Sequence, residues 1–498
     1  MIKKIIIFGG GTSGYLSAAF LRNNIPQQVE IQLIESSKVG IIGVGEGTQP
    51  YTTQFLRQCG IGPGDWMKSA NATYKLGVEF DGWHDSPYFV DNDTFATFVL
   101  GPNLFTYNYW ASKDRQEFFD SIPSYRMAKE NKSPKLKSNM DFNHGYTVET
   151  WDAVHFDAHK IGETLKDILK DRIDIVDTEI VEVDADDGNI LCLRDADAME
   201  YSADLYIDCS GFKSLLLEKT LETPWLDEGE NLLCNKAVAI PTQYTNPQEE
   251  CHPYTKATTM KNGWRWTIPT YERIGNGYVY SDKYCTPEEA EAELREEIGE
   301  YEAEARHLDM RIGTHEGVAH GNVVAVGLSA GFVEPLEATG ITFTTKTLEF
   351  LLESLMKSDG NWTPQNLHLI NTKFLSMFYE IRDFIFLHYK LSNRDDTQFW
   401  KDARALEYPD TLRERIKSFL PSPPNILFDE NKFNMFHSGQ WFEMLMGNDF
   451  YEGSVGLLPT EYSRYAEMFV DIEKYRIDKV LEDWPNHYDY LTEYYKKI

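Results

Sequence analysis

Lys4 to Phe8 is a short run of mostly β-branched residues that stops at Gly9-Gly10-Gly11-Thr12-Ser13-Gly14. Nothing else in the chain restricts its fold as tightly. The residues from Tyr15 to Arg22 have helical character, and a second apolar strand, Val29 to Ile34, ends at Glu35. The segment therefore predicts a β-α-β unit carrying a G-x-G-x-x-G fingerprint at Gly9, Gly11 and Gly14, followed by an acid. Each position has a physical task. Gly9 makes the tight turn, Gly11 lets the backbone approach a pyrophosphate, and Gly14 lets helix and strand pack closely. The helix start, with Thr12 and Ser13, attracts the anion through its N–H groups. Glu35 can accept hydrogen bonds from a ribose hydroxyl. The expected fold class is α/β with a Rossmann-like parallel sheet. The fingerprint alone does not separate FAD from NAD.

Composition sets outer limits. With 498 residues, of which 42% are hydrophobic, the chain can bury the cores of two or three domains. A net charge of −31 repels phosphate backbones, so nucleic acid is not an expected partner. None of the six cysteines forms a C-x-x-C pair, which points away from a zinc ribbon or a thioredoxin-like site. The apolar run near the N-terminus, Ile5 to Phe8, is too short for a signal-peptide core. No apolar run reaches the ~18 residues of a membrane span. A soluble, cytoplasmic protein with no membrane partner is expected.

Thr344 to Lys357 has helical apolar spacing, with Leu348, Leu351, Leu352 and Leu355 on one face. Asn371 to Tyr389 and Tyr462 to Asp483 also read as helices, so the C-terminal third is expected to be mostly helical around a Pro421-Ser422-Pro423-Pro424 link. Glu288 to Glu304 reads as a solvated acidic helix. His155-Phe156-Asp157-Ala158-His159 has the i, i+4 spacing of a helical zinc pair. It lacks the catalytic glutamate and a third ligand, and no metal is expected.

Four further segments carry a resemblance. Trp264-Arg265-Trp266-Thr267-Ile268-Pro269 puts two indoles on one side of an extended segment. Gly331-Phe332-Val333-Glu334-Pro335-Leu336-Glu337-Ala338-Thr339-Gly340-Ile341, Ala72-Thr73-Tyr74-Lys75-Leu76 and Gly43-Val44-Gly45-Glu46 accompany it. Together with the glycine fingerprint, these blocks resemble the flavin-dependent halogenases of the tryptophan halogenase type, along essentially the whole chain.

The resemblance implies a flavoprotein fold of the p-hydroxybenzoate hydroxylase type. Residues 1–350 would form an FAD-binding module with substrate-side insertions at about 70–155 and 235–285, and 351–498 a helical module over the substrate. Gly45, Glu46, Ile180, Gly327 and Ile341 join the fingerprint residues as cofactor contacts. Leu205-Tyr206-Ile207-Asp208-Cys209-Ser210-Gly211 resembles the D-x-x-G turn of FAD oxidoreductases. The enzyme would use FADH2 from a separate flavin reductase, together with dioxygen and chloride, bromide or iodide. Thr339 and Gly340 would bind the halide.

Lys75, which composition alone would leave at the surface, would steer hypohalous acid by a hydrogen bond or as a haloamine. Glu337 would stabilise the arenium ion and take its proton; by composition alone it reads as a cap for a helix starting near Thr342. Trp264, Trp266 and Pro269 would wall the passage between flavin and substrate. Phe98, Leu100 and Trp441 are the substrate-pocket candidates. The usual grip on an amino-acid backbone has no clear match, so an electron-rich indole, phenol or heteroarene is the expected substrate. A flavin monooxygenase and a non-catalytic FAD-binding protein are the rival readings. A homodimer is the assembly that the general prevalence of two-fold oligomers favours.

Overall fold

The computed structural model describes residues 1–38, 45–92, 109–135 apart from 112, 153–420, 423–424, 435–451 and 484–498, with scattered positions between 464 and 482. The chain divides into two compact units, each built from three stretches of sequence. One comprises Met1–Ala72, Phe156–Glu230 and Met310–Phe378; the other comprises Thr73–His155, Asn231–Asp309 and Tyr379–Ile498.

The first unit is organised by a six-stranded sheet. Its order is Ala319–His320, Val323–Ala325, Leu205–Asp208, Lys4–Phe8, Glu30–Glu35, Asp174–Asp177. All neighbours are parallel except the edge strand Ala319–His320. Lys4–Phe8 is flanked by Glu30–Glu35 on one side and Leu205–Asp208 on the other. That central position is the switch point of a doubly wound sheet, where ligands bind beyond the strand ends. Ile5, Ile6 and Ile7 are fully buried, as strands covered on both faces require. Helices Thr12–Asn24, Ala158–Leu169 and Gly340–Lys357 belong to the same unit and pack together. The α/β fold with a Rossmann-like core is therefore present. The first helix begins three residues before the expected Tyr15, and the last four before Thr344, because turns built from Thr, Ser and Gly carry no apolar period.

The second unit is built on a seven-stranded sheet in the order Arg306–Asp309, Lys236–Thr242, Ile274–Tyr280, Gly263–Pro269, Thr255–Met260, Gly77–Asp81, Tyr88–Asp91. Only the Thr255–Met260/Gly77–Asp81 pair is parallel. One face carries Val238, Ile240, Met260, Tyr278 and Tyr280, packed against Ala290 and Leu294 of helix Pro287–Ile298. Trp264 and Trp266 stand on the other face, since neighbours along a strand alternate sides. The acidic helix is thus solvated on one side only. It stops at Gly299, whose φ of +67° ends it before Glu304. Helix Pro364–Leu391 extends the expected Asn371–Tyr389 at both ends. Helices Gln398–Ala405, Asp410–Phe419, Ser438–Gly447 and His487–Tyr495 follow, so the described residues of the C-terminal third are mostly helical. Within the expected helix 462–483 the scattered described positions between 464 and 482 are helical, and the others lie outside the described residues.

Candidate active site

In the first unit the glycine turn has the geometry of a phosphate cradle. Gly9 has a φ of +119°, and a Cβ there would lie 2.3 Å from the Cys209 carbonyl oxygen. A Cβ on Gly14 would lie 1.8 Å from the Gly9 carbonyl oxygen. Both glycines are therefore required by packing. Gly11 is different: a Cβ on it would meet nothing within 4 Å, so the space it faces is open. Helix Thr12–Asn24 has no side-chain N-cap and no acid in its first turn. The Thr12 hydroxyl donates to the Ala158 carbonyl (3.2 Å), and Ser13 Oγ meets Thr344 Oγ1 at 2.8 Å. Those hydroxyls tie the helix to its neighbours, and the backbone N–H groups are left for an anion.

Glu35 closes the second strand. Its carboxylate accepts from the Tyr15 hydroxyl (2.7 Å) and from Lys166 Nζ (2.5 Å). Burial together with Glu35 pushes the Tyr15 phenol up, and Glu35 raises Lys166. Tyr15 and Lys166 thus fix the expected ribose acceptor, and neither was legible from the fingerprint. Gly10 is equally needed, because a Cβ there would lie 2.2 Å from Glu35 Oε2. Asp208, fully buried, accepts from the N–H groups of Ser210, Leu216 and Leu217 and from the Ser210 hydroxyl. It holds the D-x-x-G turn together from inside.

Gly327 has a φ of +68°, and a Cβ there would lie 2.2 Å from Ser13 Oγ. Ile180, half-buried, opens the strand Ile180–Asp186 just after the Thr178 N–H bonds the Glu35 carbonyl. Of the Gly43-Val44-Gly45-Glu46 strap, Gly45 and Glu46 are described, in the short strand Gly45–Gly47. Burial, and then the charge of Asp157, raise the Glu46 carboxyl to about 7.

The second half of this unit's site is one turn. Pro335–Glu337 forms a single turn of 3₁₀ helix, Ala338 adopts a left-handed φ of +56°, and Gly340–Lys357 follows as an α-helix. Glu337 is fully buried, and its carbonyl accepts from Gln49 Nε2 at 2.7 Å. A non-glycine residue in the left-handed region costs on the order of 1 kcal/mol, and such residues cluster where geometry matters more than strain. Thr339 caps nothing with its side chain. Its Oγ1 and that of Thr342 are buried with no hydrogen-bond partner among the described residues. Gly340 faces open space, and Ile341 is buried in the first turn. Two orphaned hydroxyls beside an uncapped helix start suit a small anion. The open backbone at Gly11 and Gly340 and the two orphaned hydroxyls leave room and donors that a dinucleotide such as FAD and a small anion would fit.

In the second unit Lys75 ends the strand Thr73–Lys75, paired antiparallel with Ala153–Asp157. The surface reading fails: Lys75 is 3% exposed. On its strand face, the Thr73 hydroxyl donates to the Pro269 carbonyl (2.6 Å) and meets His155 Nδ1 at 3.2 Å. His155 Nε2 meets Thr255 Oγ1 at 2.9 Å. The Tyr74 backbone N–H donates to His487 Nε2 (3.1 Å), and His487 Nδ1 bonds the Cys251 carbonyl (2.9 Å). Burial lowers His487 to about 4, and it holds His155 well below its ordinary range, with Lys75 adding to the effect on His155. His155 lies on a strand, whereas His159 lies on the helix that Asp157 caps. The zinc-like spacing is therefore not a helical pair, and no metal-ligating cluster occurs among the described residues.

Trp264 and Trp266 lie side by side on Gly263–Pro269, both buried, with ring centroids 6.3 Å apart at 61°. Trp266 is flanked across the sheet by Ala257 and Gly277. A Cβ on Gly277 would lie 2.0 Å from Trp266 Cζ2, so the indole occupies the room that glycine leaves. Trp266 Nε1 is buried with no hydrogen-bond partner among the described residues. Trp441 is packed against Phe384 and Phe419 with the Arg415 guanidinium over its ring. Phe98 and Leu100 lie outside the described residues. No helix among the described residues is long and apolar enough to cross a membrane.

The tryptophan halogenase family matches residues 4–468. The tryptophan 6-halogenase SttH of Streptomyces toxytricini is 32% identical over 522 residues, covering 98% of each chain. Its crystal structure superposes with a TM-score of 0.85, covering 98% of this chain and 99% of that one. The 7-chloro-L-tryptophan 6-halogenase KtzR of Kutzneria sp. (strain 744) is 32% identical, covering 98% of this chain and 99% of its own. Xcc4156, a flavin-dependent halogenase from Xanthomonas campestris, is 27% identical with a TM-score of 0.86, covering 99% of this chain and 98% of that one.

Proposed function

The chain belongs to the tryptophan halogenase family of flavin-dependent enzymes, and on that premise we propose that it halogenates an electron-rich indole, phenol or heteroarene. Reduced FAD, delivered by a separate reductase, supplies with dioxygen the oxidising power that turns halide into hypohalous acid. Gly9, Gly11, Gly14 and the helix start at Thr12 and Ser13 hold the pyrophosphate, and Glu35 holds the ribose. Gly45, Glu46, Ile180, Gly327 and Ile341 line the remainder. The backbone N–H groups of Thr339 and Gly340 hold the halide. The first unit serves as the flavin module and the second as the substrate module.

Lys75 orients the hypohalous acid by donating an N–H to its oxygen, which leaves the halogen as the electrophilic end. As the ring is attacked, positive charge develops on the arene. Glu337 stabilises that charge and takes the proton that restores aromaticity. Trp264, Trp266 and Pro269 keep the arene away from the flavin, so that only a small oxidant passes.

One observation carries the proposal: a buried carboxylate, Glu337, shares a single turn with an uncapped helix start bearing two orphaned hydroxyls, at Thr339 and Thr342. A buried carboxylate just ahead of such a helix start supports a site that handles halide and proton in turn.

The test is mass spectrometry of an arene panel, free tryptophan included, with reductase, FAD, NADH and each halide. Halogen mass shifts that require halide are expected. Oxygen insertion without halide would overturn the reading in favour of a monooxygenase, and no conversion of any arene would favour a non-catalytic flavoprotein. Lys75→Ala is expected to lose ~100-fold or more of its halogenated product while FADH2 is still oxidised and hydrogen peroxide released. Full halogenation by that variant would remove Lys75 from its role.

A further inference from the structure

His155 is a fully buried imidazole that the halogenation chemistry leaves unassigned. It is joined to Thr73 and Thr255, themselves buried. The protons in this group can be counted. Thr73 has one hydroxyl proton, and the Pro269 carbonyl, which can only accept, is its nearer partner at 2.6 Å against 3.2 Å for His155 Nδ1, so we assign the proton to Pro269. The contact between Thr73 Oγ1 and His155 Nδ1 at 3.2 Å can then be a hydrogen bond only if Nδ1 carries the proton. A neutral ring protonated on Nδ1 has a bare Nε2, which accepts the Thr255 hydroxyl proton at 2.9 Å. The chain runs in one direction: Thr255 O–H to His155 Nε2, Nδ1–H to Thr73 Oγ1, and Thr73 O–H to the Pro269 carbonyl.

The placement of this chain matters as much as its direction. Thr73 and Lys75 are two residues apart on one strand and share a face. That strand belongs to the small sheet with Ala153–Asp157, whereas Pro269 closes the tryptophan strand of the seven-stranded sheet. Thr255 opens the strand next to the tryptophans. Four buried groups therefore link the sheet that carries Lys75 to the sheet that carries the tryptophan strand. A second proton on His155 would set a donor against the Thr255 hydroxyl and a positive charge beside Lys75.

We propose that His155 is a positioning residue for Lys75: as a neutral imidazole protonated on Nδ1, it completes a one-way hydrogen-bond chain from Thr255 to Pro269 that fixes the Lys75 strand against the tryptophan strand. The proposal rests on the role given to Lys75 above. Burial first, and then Lys75 and His487, disfavour a charged His155 and outweigh the pull of the Pro269 carbonyl toward it, so the positive charge in this proposal sits on the lysine, where the oxidant is to be held.

The test uses Thr73→Val, which keeps the side-chain shape and removes the hydroxyl, with Thr73→Ser as the conservative rescue. Thr73→Val is expected to lower halogenated product per FADH2 oxidised by about fivefold to tenfold, the effect of one buried hydrogen bond. FADH2 oxidation and FAD affinity stay within about twofold of wild type, because the first unit is untouched. Backbone hydrogen exchange at 73–75 and 264–269 should accelerate together. Thr73→Ser restores both coupling and protection.

Wild-type coupling and exchange in Thr73→Val would overturn the proposal. So would a Thr73→Ser variant as impaired as Thr73→Val, since shape rather than the hydroxyl would then matter. If Thr73→Val does not fold, ¹⁵N-histidine NMR of the unaltered protein decides. One resonance pair, absent from His155→Gln, must show a protonated Nδ1 and a bare Nε2 that persists down to about pH 5. The opposite tautomer would end the proposal. A wild-type protein that halogenates no arene would defeat the functional reading instead, and the exchange and tautomer measurements would still judge the chain of bonds.

Discussion

The two units bring residues to chemistry in different ways. In the first, the proposed site is backbone: glycines that let chains approach, and two helix starts without side-chain caps. In the second it is side chains set by neighbours on other strands: Trp266 lies between Gly277 and Ala257, and the strand that carries Lys75 is bonded through Thr73 to His155, which in turn meets Thr255. A backbone site depends on local sequence, because a turn and a helix start are written in consecutive residues. A side-chain site depends on register, which no short stretch of sequence contains. The contrast can be attacked at both ends.

The largest effect is expected from Gly14→Ala. Its Cβ would lie 1.8 Å from the Gly9 carbonyl oxygen, and neither backbone can move without opening the parallel sheet. A loss of about 3 kcal/mol or more should appear in chemical denaturation, with FAD binding lost in parallel. Near-native stability would show that the glycine turn is softer than its geometry and would weaken the first half of the comparison.

The second effect concerns acid. His487 titrates near 6.5 when unfolded and at about 4 when folded. The unfolded chain therefore binds the proton first, and stability falls as pH drops from 6.5 toward 4, by up to about 3 kcal/mol from this group. His155 acts in the same direction. Glu46 in the first unit has the opposite sign: its folded value of about 7 lies above the unfolded 4.5. Its contribution is complete below pH 4.5 and is lost as pH rises toward 7. Hydrogen exchange at pH 5 and pH 7 should show the strand around Tyr74 loosening in acid. His487→Phe should abolish that response in its segment, and Glu46→Gln should flatten the opposite trend around 45–47. Identical pH trends in the two segments would remove this distinction between the units.

How much of this was legible follows the same division. Lys4–Phe8 was readable to the residue, because β-branched residues running into glycine permit little else. The fingerprint glycines were readable as a motif, and the structure separates them: a Cβ on Gly9 or Gly14 would strike backbone, whereas one on Gly11 meets nothing within 4 Å. Gly10 was not readable, because it answers to Glu35, a residue brought over it only by the fold. His155 was paired in sequence with His159, yet its partners are Thr73 and Thr255, which lie 82 and 100 positions away. Trp264 and Trp266 were visible as a pair, while the glycine that makes room for Trp266 was one among 34. A residue type can be read from the chain; its cross-strand neighbour cannot.

Gly277→Ala tests register directly. Its Cβ would fall 2.0 Å from Trp266 Cζ2, and a cost of about 2 kcal/mol is expected from overpacking. Trp266→Phe removes the ring atoms that Cβ would strike. The double variant should therefore be more stable than the sum of the two single losses by about 1 kcal/mol. Additive losses would mean that the indole is held by something other than the gap at Gly277. The same variant should leave FAD affinity unchanged, since the cradle is built from other residues.

The smallest change in stability, and the sharpest test of the backbone site, is Gly11→Ala. Its φ of −75° suits any residue, and a Cβ there meets nothing within 4 Å. Folding stability is expected to stay within about 0.5 kcal/mol of wild type. If the open space above Gly11 is where a pyrophosphate lies against bare backbone, the added methyl must hold it off the helix N–H groups. FAD affinity should then fall by about tenfold or more, equivalent to about 1.4 kcal/mol, with no change in melting temperature for the ligand-free protein. Gly14→Ala and Gly11→Ala thus separate two reasons for glycine in one hexapeptide: one position is demanded by the protein's own packing, the other only by what it binds. An FAD affinity untouched by Gly11→Ala would place the pyrophosphate elsewhere, and the first unit would lose its claim to a site made of backbone.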